Sequence, residues 1–189
     1  METSGYSIQR LATDLRRVVS EAADERKILS EIRPLAHRAA LSRDLWLEKR
    51  FYAADPEQGF GVYLLHEEAD HSLAIFAVSW LPNRGAPPHD HGTWAIVASV
   101  DGPEKNEFFD RLDNGSRTGY AELKKVGEKV FHPGDVLAMR TGQIHSIWND
   151  SDSVSVSLHI YGKNIQHTGR SKFDLDKRTE TPFLLKLEP

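Results

Sequence analysis

The chain has 189 residues, of which 39% are hydrophobic and 28% charged, values typical of one globular domain with its own core. The net charge of −4 at pH 7 gives no electrostatic indication of nucleic-acid binding. There is no cysteine, which excludes disulfides and thiolate metal sites and leaves histidines and carboxylates as the candidate metal ligands.

The location of the protein is predicted from what the sequence lacks. No apolar run approaches the roughly 20 residues that span a bilayer. The start, Met1–Gly5, is polar and predicts no secretory leader. Together with the absence of cysteine, this predicts a cytoplasmic protein with neither membrane nor nucleic-acid partners.

The first 50 residues are predicted to be helical. Apolar residues recur at spacings of three and four from Ile8 to Ala22, which produces one apolar stripe between charged positions. A second helical pattern contains Ile28 and Ile32. Pro34 is expected to interrupt it, with a short helix restarting at the proline. Such stripes favour helices that cover a β-domain, and the alternative is a helical arm that binds a partner.

From about residue 60 the pattern changes to short apolar runs separated by turn-type breaks such as Asp113-Asn114-Gly115. The predicted strands are 61–65, 73–80, 94–100, 106–109, 120–123, 135–139, 146–148 and 154–161. Many short strands without helices between them predict a mainly β fold, either an antiparallel barrel or a jelly roll.

We therefore predict a single domain over 1–189 in three parts. These are a helical part at about 5–50, a β-barrel at about 60–165 and a C-terminal tail at 166–189. The tail is polar and basic before its apolar end, Pro182–Leu185, and its docking position is not predicted.

The strongest metal-ligand pattern is His89-Asp90-His91. Side chains at i and i+2 of a strand share one face, so His89 and His91 can hold one metal ion while Asp90 points away. His145 follows a turn at Gly142 that is expected to deliver its side chain into the barrel mouth. Three imidazoles leave open positions for substrate and oxidant, as a catalytic metal site requires. Taken singly, the histidines at 37, 66, 71 and 132 are predicted to be surface or packing residues.

A three-histidine site predicts a particular chemistry. Neutral imidazoles leave a divalent metal with its full +2 charge, which favours anionic ligands and lowers the pKa of a bound acid. A thiol would bind as thiolate, a second donor group of the substrate could chelate, and one position would remain for O2. Iron(II) suits imidazole, sulfur and oxygen together, although zinc and nickel also accept three imidazoles.

The segment Ser157-Leu158-His159-Ile160-Tyr161 alternates polar and apolar residues. Ser157, His159 and Tyr161 therefore share one face of a strand. Such a row can form a hydrogen-bond relay that ends at the phenolic O–H. The alternative is a polar solvent face on an edge strand.

Both histidine segments resemble the two cupin motifs. The first motif corresponds to Gly85, His89, His91 and Gly102, and the second to Pro133, Gly134, Asp135, Gly142, His145 and Asn149. Many cupins have a glutamate ligand shortly after the second histidine, but the matching segment here, Trp94–Val97, contains no carboxylate. This departure favours three histidines without an acidic ligand.

Over most of its length, and most densely from Pro88 to Arg170, the chain resembles the bacterial thiol dioxygenases, the cupin family that includes cysteine dioxygenase and 3-mercaptopropionate dioxygenase. The resemblance implies a cupin double-stranded β-helix (jelly-roll) barrel with N-terminal helices packed on it. It implies Fe(2+) as cofactor on His89, His91 and His145, and a catalytic relay of Ser157, His159 and Tyr161.

The mercaptopropionate-type members match in Tyr161-Gly162-Lys163-Asn164-Ile165, and their carboxylate-binding arginine corresponds to Arg170. The alternative for Arg170 is a solvated arginine of the tail. A cysteine–tyrosine crosslink, found in mammalian-type members, is impossible in this chain.

The sequence thus predicts an iron(II)-dependent thiol dioxygenase whose partners are O2 and a small thiol carboxylate resembling 3-mercaptopropionate or cysteine. The product would be the sulfinate. Two alternatives stay open: a metal-dependent cupin enzyme of other chemistry, such as an isomerase or a carbon–carbon cleaving dioxygenase, and a non-catalytic metal-binding cupin.

Overall fold

The computed structural model describes residues 6–188. Met1–Gly5 and Pro189, which include the polar start and both ends of the predicted domain, lie outside the described residues. The helices are α1 (Ile8–Glu21) and α2 (Glu25–Leu41), and short 3-10 helices lie at Arg43–Leu45, Lys49–Tyr52 and Ile165–His167. The strands are β1 (Phe60–Glu67), β2 (Ala74–Trp80), β3 (Arg84–His89), β4 (Ala95–Asp101), β5 (Glu104–Arg111), β6 (Leu123–Phe131), β7 (Val136–Met139), β8 (Ile144–Asn149), β9 (Ser155–Tyr161), β10 (Ser171–Asp174) and β11 (Thr179–Pro182).

Both helices begin at a capping side chain. Ser7 Oγ accepts a hydrogen bond from the backbone N–H of Arg10, and Asp24 Oδ1 accepts one from that of Lys27. The prediction that Pro34 interrupts the second helix is wrong, because α2 runs through it. Pro34 is exposed. We attribute the continuity to the packing of the opposite face of α2, which outweighs the lost backbone hydrogen bond.

The helices cover the outside of one sheet. Their buried residues form a single cluster with outward-facing side chains of that sheet, including Ile75, Ile96, Leu158 and Ile160. The packing agrees with the predicted role of the apolar stripe. It leaves the other face of the sheet for the barrel interior.

Two antiparallel sheets form the barrel. One has the order β1-β2-β9-β4-β7, and the other has the order β11-β10-β3-β8-β5-β6. A second cluster joins Phe76 and Tyr161 of the first sheet to Ala86 and Ile147 of the second, so the interior lies between the sheets. The predicted fold class, a mainly β jelly-roll barrel with N-terminal helices packed on it, is confirmed.

Several strand assignments differ from the sequence prediction. A strand predicted at 120–123 is wrong, since β6 runs over Leu123–Phe131 as an edge strand with mostly exposed residues. β3 was not predicted because it contains Pro87 and Pro88. Both prolines fall in the irregular part of the β3–β8 pairing, between Ala86 and His89.

The segment after residue 165, which the sequence predicts to be a tail, contains two strands. β10 and β11 pair with each other, and β10 joins β3 through Lys172 and His89. These four-residue strands lack an apolar alternation, so the sequence pattern did not indicate them. Within residues 6–188, no helix is long and apolar enough to cross a membrane.

Candidate metal centre

The structure brings His89, His91 and His145 together. His89 is the last residue of β3 and pairs with His145 of β8, while His91 lies two residues beyond the strand. One nitrogen from each ring lies within 4.8 Å of the others. Within the described part of the chain, no aspartate or glutamate joins this group. The three imidazoles form a site that can bind a metal ion.

The spacing argument assumed that both histidines of the i, i+2 pair lie on one strand, but only His89 lies on β3. The chain leaves β3 after His89, and the ring planes of His89 and His91 are nearly perpendicular. The Asp90 carboxylate accepts a hydrogen bond from the backbone N–H of Ser171 at 2.9 Å, so it points away from the rings. Anchoring to Ser171 directs His91 toward the other two rings.

Hydrogen bonds orient two of the three rings. Nδ1 of His89 donates to the carbonyl of Pro87, and Nδ1 of His145 donates to the side-chain oxygen of Asn106, both at 2.8 Å. Each ring therefore keeps its Nε2 lone pair free. Nε2 of His145 is buried and has no hydrogen-bond partner. Buried polar atoms nearly always have a partner, and a bound metal ion would provide one for this nitrogen.

The rings are neutral at physiological pH. Burial, followed by the proximity of His145, lowers the pKa of His89 and of His91 well below the usual value. Burial and the Arg170 charge lower the pKa of His145 to about 3. Neutral imidazole is the form that binds metal, so protons do not compete near pH 7.

Ser157, His159 and Tyr161 form a continuous hydrogen-bonded row. Ser157 Oγ lies 2.8 Å from His159 Nε2, and His159 Nδ1 lies 2.7 Å from the Tyr161 oxygen. All three are buried on β9, which pairs with β2 on one side and β4 on the other. The solvent-face alternative for this row is therefore wrong. Burial raises the pKa of Tyr161, which keeps its phenol protonated.

Arg170 is 4% exposed, so the alternative of a solvated tail arginine is wrong. Its Nε donates to the carbonyl of Phe183 at 3.3 Å, and its guanidinium lies 4.3 Å above the Phe183 ring. Nη2 is buried without a hydrogen-bond partner. An unpaired buried guanidinium nitrogen provides a binding position for an anion.

One of the three histidines, part of the hydrogen-bonded row and Arg170 line one small cavity. His89, His159, Tyr161 and Arg170 supply its polar wall. The apolar wall consists of Phe60, Val62, Val78, Trp80, Ala86, Ile147, Ile165, Phe183 and Leu185. A small, mostly apolar pocket with a few convergent polar groups is typical of a small-molecule site.

Sequence reasoning missed Asn106, Phe183 and Glu104. Asn106 lies in a predicted strand, but nothing in the pattern links it to His145. Phe183 was assigned only to a tail of unknown position.

Glu104 is 1% exposed, and neither carboxylate oxygen has a hydrogen-bond partner of ordinary geometry, although the group lies near Ser157. Burial raises its pKa to about 7. Beside Lys105, a glutamate resembles an ordinary surface residue in the sequence.

No protein-family model matches the sequence. Among solved structures, oxalate oxidase in complex with the substrate analogue glycolate is similar at 19% identity, over 80% of this chain and 66% of that chain, with a TM-score of 0.48. The DMSP lyase DddQ from Ruegeria pomeroyi DSS-3 is 20% identical, over 62% of this chain and 53% of that one, with a TM-score of 0.45.

A cupin superfamily protein from Desulfitobacterium hafniense DCB-2 is 16% identical, over 54% of this chain and 75% of that one, with a TM-score of 0.40. The chain thus spans about two thirds of the oxalate oxidase and about half of the lyase.

Proposed function

We propose that the protein is a non-haem iron dioxygenase that oxidises a small thiol carboxylate to its sulfinate. The observation that carries this proposal is the unpaired Nη2 of Arg170, a residue that lines the same cavity as His89 and Tyr161. A metal site on one wall and an anion-binding group on another suit a short molecule with a donor atom at one end and a carboxylate at the other.

The candidate cofactor is iron(II), held by His89, His91 and His145. The orphaned Nε2 of His145 and the neutral state of all three rings fit this role. When bound to these residues, iron(II) would supply the redox chemistry for the reaction of a thiolate with O2. The overall reaction is balanced: R–SH and O2 yield R–SO2⁻ and one proton, with both oxygen atoms in the product.

Arg170 would bind the substrate carboxylate. Its planar guanidinium can pair with two carboxylate oxygens, and the cavity is apolar enough to strengthen that pair. Fixing the carboxylate would place the sulfur at the histidine wall in one orientation. Such positioning lowers the activation free energy of the reaction, because the reacting groups are already held close together in the reactive orientation.

Tyr161 would donate a hydrogen bond to the reacting oxygen. When Nδ1–H of His159 donates to the Tyr161 oxygen, the phenolic hydrogen is free to point into the cavity. Ser157 would hold His159 in this tautomer by donating to Nε2. A donor fixed in advance stabilises negative charge as it develops in the transition state.

Oxygen uptake by iron-loaded protein tests the proposal. The substrates are 3-mercaptopropionate, cysteine and mercaptosuccinate, with cysteamine as a thiol lacking the carboxylate and a diketone as a substrate for carbon–carbon cleavage. We expect uptake with at least one thiol carboxylate and much less with cysteamine. Uptake with the diketone alone would favour the other cupin chemistry. No uptake, and no spectral change on anaerobic thiol addition, would favour a binding protein.

The variant Arg170→Gln tests the carboxylate contact. Hydrogen bonds to charged groups contribute about 1.5–3 kcal/mol, so we expect kcat/KM for the thiol carboxylate to fall about 10- to 100-fold. Arg178→Gln is the matched control, because Arg178 is an exposed arginine outside the cavity. An unchanged kcat/KM in Arg170→Gln would contradict the assignment.

A further inference from the structure

A second group of metal-type ligands lies apart from the three-histidine site. It consists of Glu67 at the end of β1, His71 in the turn that follows, and His167 in the 3-10 helix Ile165–His167. One ligand atom from each residue lies within 4.8 Å of the other two. The sequence predicts His71 to be an isolated surface or packing residue, and only the folded chain brings it to His167.

The three side chains are closely arranged. Nδ1 of His71 lies 2.5 Å from Oε1 of Glu67, and the rings of His71 and His167 stack at 3.8 Å with an interplanar angle of 14°. Asn164 fastens the arrangement. Its side-chain N–H donates to Glu67 Oε1 at 2.6 Å, and its backbone N–H donates to the carbonyl of His71 at 2.9 Å.

The surroundings favour a cation. Glu67, Glu68 and Asp70 give the strand end and turn around His71 a negative charge, of which Arg16 neutralises only that of Glu68. His71 also has a φ of 63°, an uncommon conformation for a residue with a side chain. This backbone conformation places the His71 ring next to the Glu67 carboxylate and the His167 ring.

We propose that Glu67, His71 and His167 bind a divalent transition-metal cation of the zinc or nickel type. One carboxylate oxygen and one nitrogen from each ring would be the ligands, with water in a fourth position. This donor set suits borderline metals better than magnesium or calcium, which prefer oxygen ligands. Tetrahedral zinc, with metal–ligand distances of about 2.0–2.2 Å, brings ligand atoms to about 3.4 Å from one another. Because an imidazole binds a metal in the plane of its ring, both stacked rings would have to turn toward a common point, and His71 Nδ1 would exchange its contact with Glu67 for the ion.

A cation at this position would connect two parts of the chain. It would join the turn between β1 and β2 to the segment between Tyr161 and Arg170, which carries His167. Binding would therefore stabilise the fold and restrain that segment. The inference does not depend on the proposed enzymatic function, because it concerns metal binding alone.

Zinc binding to metal-free protein tests the proposal. The protein is stripped with a chelator, titrated with zinc ions in a calorimeter and, after gel filtration, analysed for zinc content. We expect two equivalents in the wild type, since the three-histidine site also accepts zinc. His167→Ala and His145→Ala should each retain one equivalent, and the double variant should retain none. His132→Ala, which changes an exposed histidine outside both groups, should retain two.

Thermal unfolding supplies a second readout. Zinc should raise the Tm of His145→Ala, whose remaining site is the second group, and leave the Tm of the double variant unchanged. Circular dichroism of the metal-free variants establishes that each is folded. One equivalent in the wild type, two equivalents in His167→Ala, or no zinc in folded His145→Ala would overturn the proposal.

Discussion

Arg170 and Phe183 hold each other through both backbone and side chain. The backbone N–H of Phe183 donates to the carbonyl of Arg170 at 3.0 Å, and Nε of Arg170 donates to the carbonyl of Phe183 at 3.3 Å. The guanidinium lies 4.3 Å above the Phe183 ring, and the same ring lies 5.2 Å from the ring of His89. The C-terminal segment therefore sets the distance between the anion-binding group and the candidate metal ligands.

Replacing Phe183 by leucine should weaken substrate binding. Leucine keeps most of the apolar volume but removes the aromatic face, and cation–π contacts contribute about 0.5–2 kcal/mol. We expect KM for the thiol carboxylate to rise about 3- to 30-fold, with little change in iron content. Leu184→Ala is the control, because Leu184 is 81% exposed beside Phe183. Equal KM values in both variants would show that Phe183 does not position Arg170.

Tyr161→Phe should slow turnover without loss of metal. Removing one donor that acts on developing charge typically costs about 10²–10³ in kcat. Tyr63→Phe is a matched control, since this other buried tyrosine donates to the carbonyl of Ala53 outside the cavity. Steady-state kinetics and iron analysis of both variants make the comparison. Loss of iron in Tyr161→Phe would place the phenol among the ligands, and wild-type kcat would remove it from the reaction.

Asn106→Ala should weaken metal binding. Asn106 holds Nδ1 of His145, and loss of such an orienting group typically costs about 10- to 100-fold in metal affinity. Competition with a chromophoric chelator measures this affinity, with Asn114→Ala in an exposed turn as the control. Wild-type affinity in Asn106→Ala would mean that His145 needs no orientation, or that it is not a ligand.

The sequence indicates which residues lie together at this centre because several of them are close to one another in the chain. His89 and His91 lie two residues apart, and Ser157, His159 and Tyr161 alternate on one strand. The glycine of the first cupin-like motif also has a physical reason: a Cβ at Gly85 would lie 1.9 Å from the carbonyl oxygen of Ile147. A side chain there would separate β3 from β8, on which His145 lies.

What the sequence does not predict depends on contacts between distant segments. Phe183 reaches the cavity only because β10 and β11 add to the second sheet, and their short polar strands carry no hydrophobic period. Pro34 was expected to break a helix because local preference ignores the packing of the opposite face. Glu104 gave no signal because burial, which makes it unusual, is a property of the folded barrel.

Glu104 should make stability depend on pH. Burial raises its folded pKa from 4.5 to about 7, so the folded state favours the protonated carboxyl. The contribution of this group is therefore fully present below the unfolded pKa and is lost as pH rises through about 7. The shift corresponds to about 3 kcal/mol between pH 4 and pH 8, because one pKa unit is about 1.4 kcal/mol.

Urea unfolding of wild type and Glu104→Gln at several pH values measures this effect. The glutamine variant lacks the titrating group, so it should gain stability relative to wild type as pH rises from about 4.5 to about 8. The buried histidines destabilise both proteins equally in acid, and their effect cancels in the difference. A stability difference that is independent of pH would mean that Glu104 is not buried as a neutral acid.

The central claim is that this protein, with a metal held by the three imidazoles, oxidises a bound thiol carboxylate with O2, and the most direct test is to trace the oxygen atoms. Iron-loaded protein is given 3-mercaptopropionate and isotopically labelled O2, and the product is analysed by mass spectrometry. We predict a sulfinate with both oxygen atoms from O2, formed with one O2 consumed per thiol, and no product from His145→Ala. Disulfide and peroxide, or a sulfinate whose oxygen comes from water, would contradict the account.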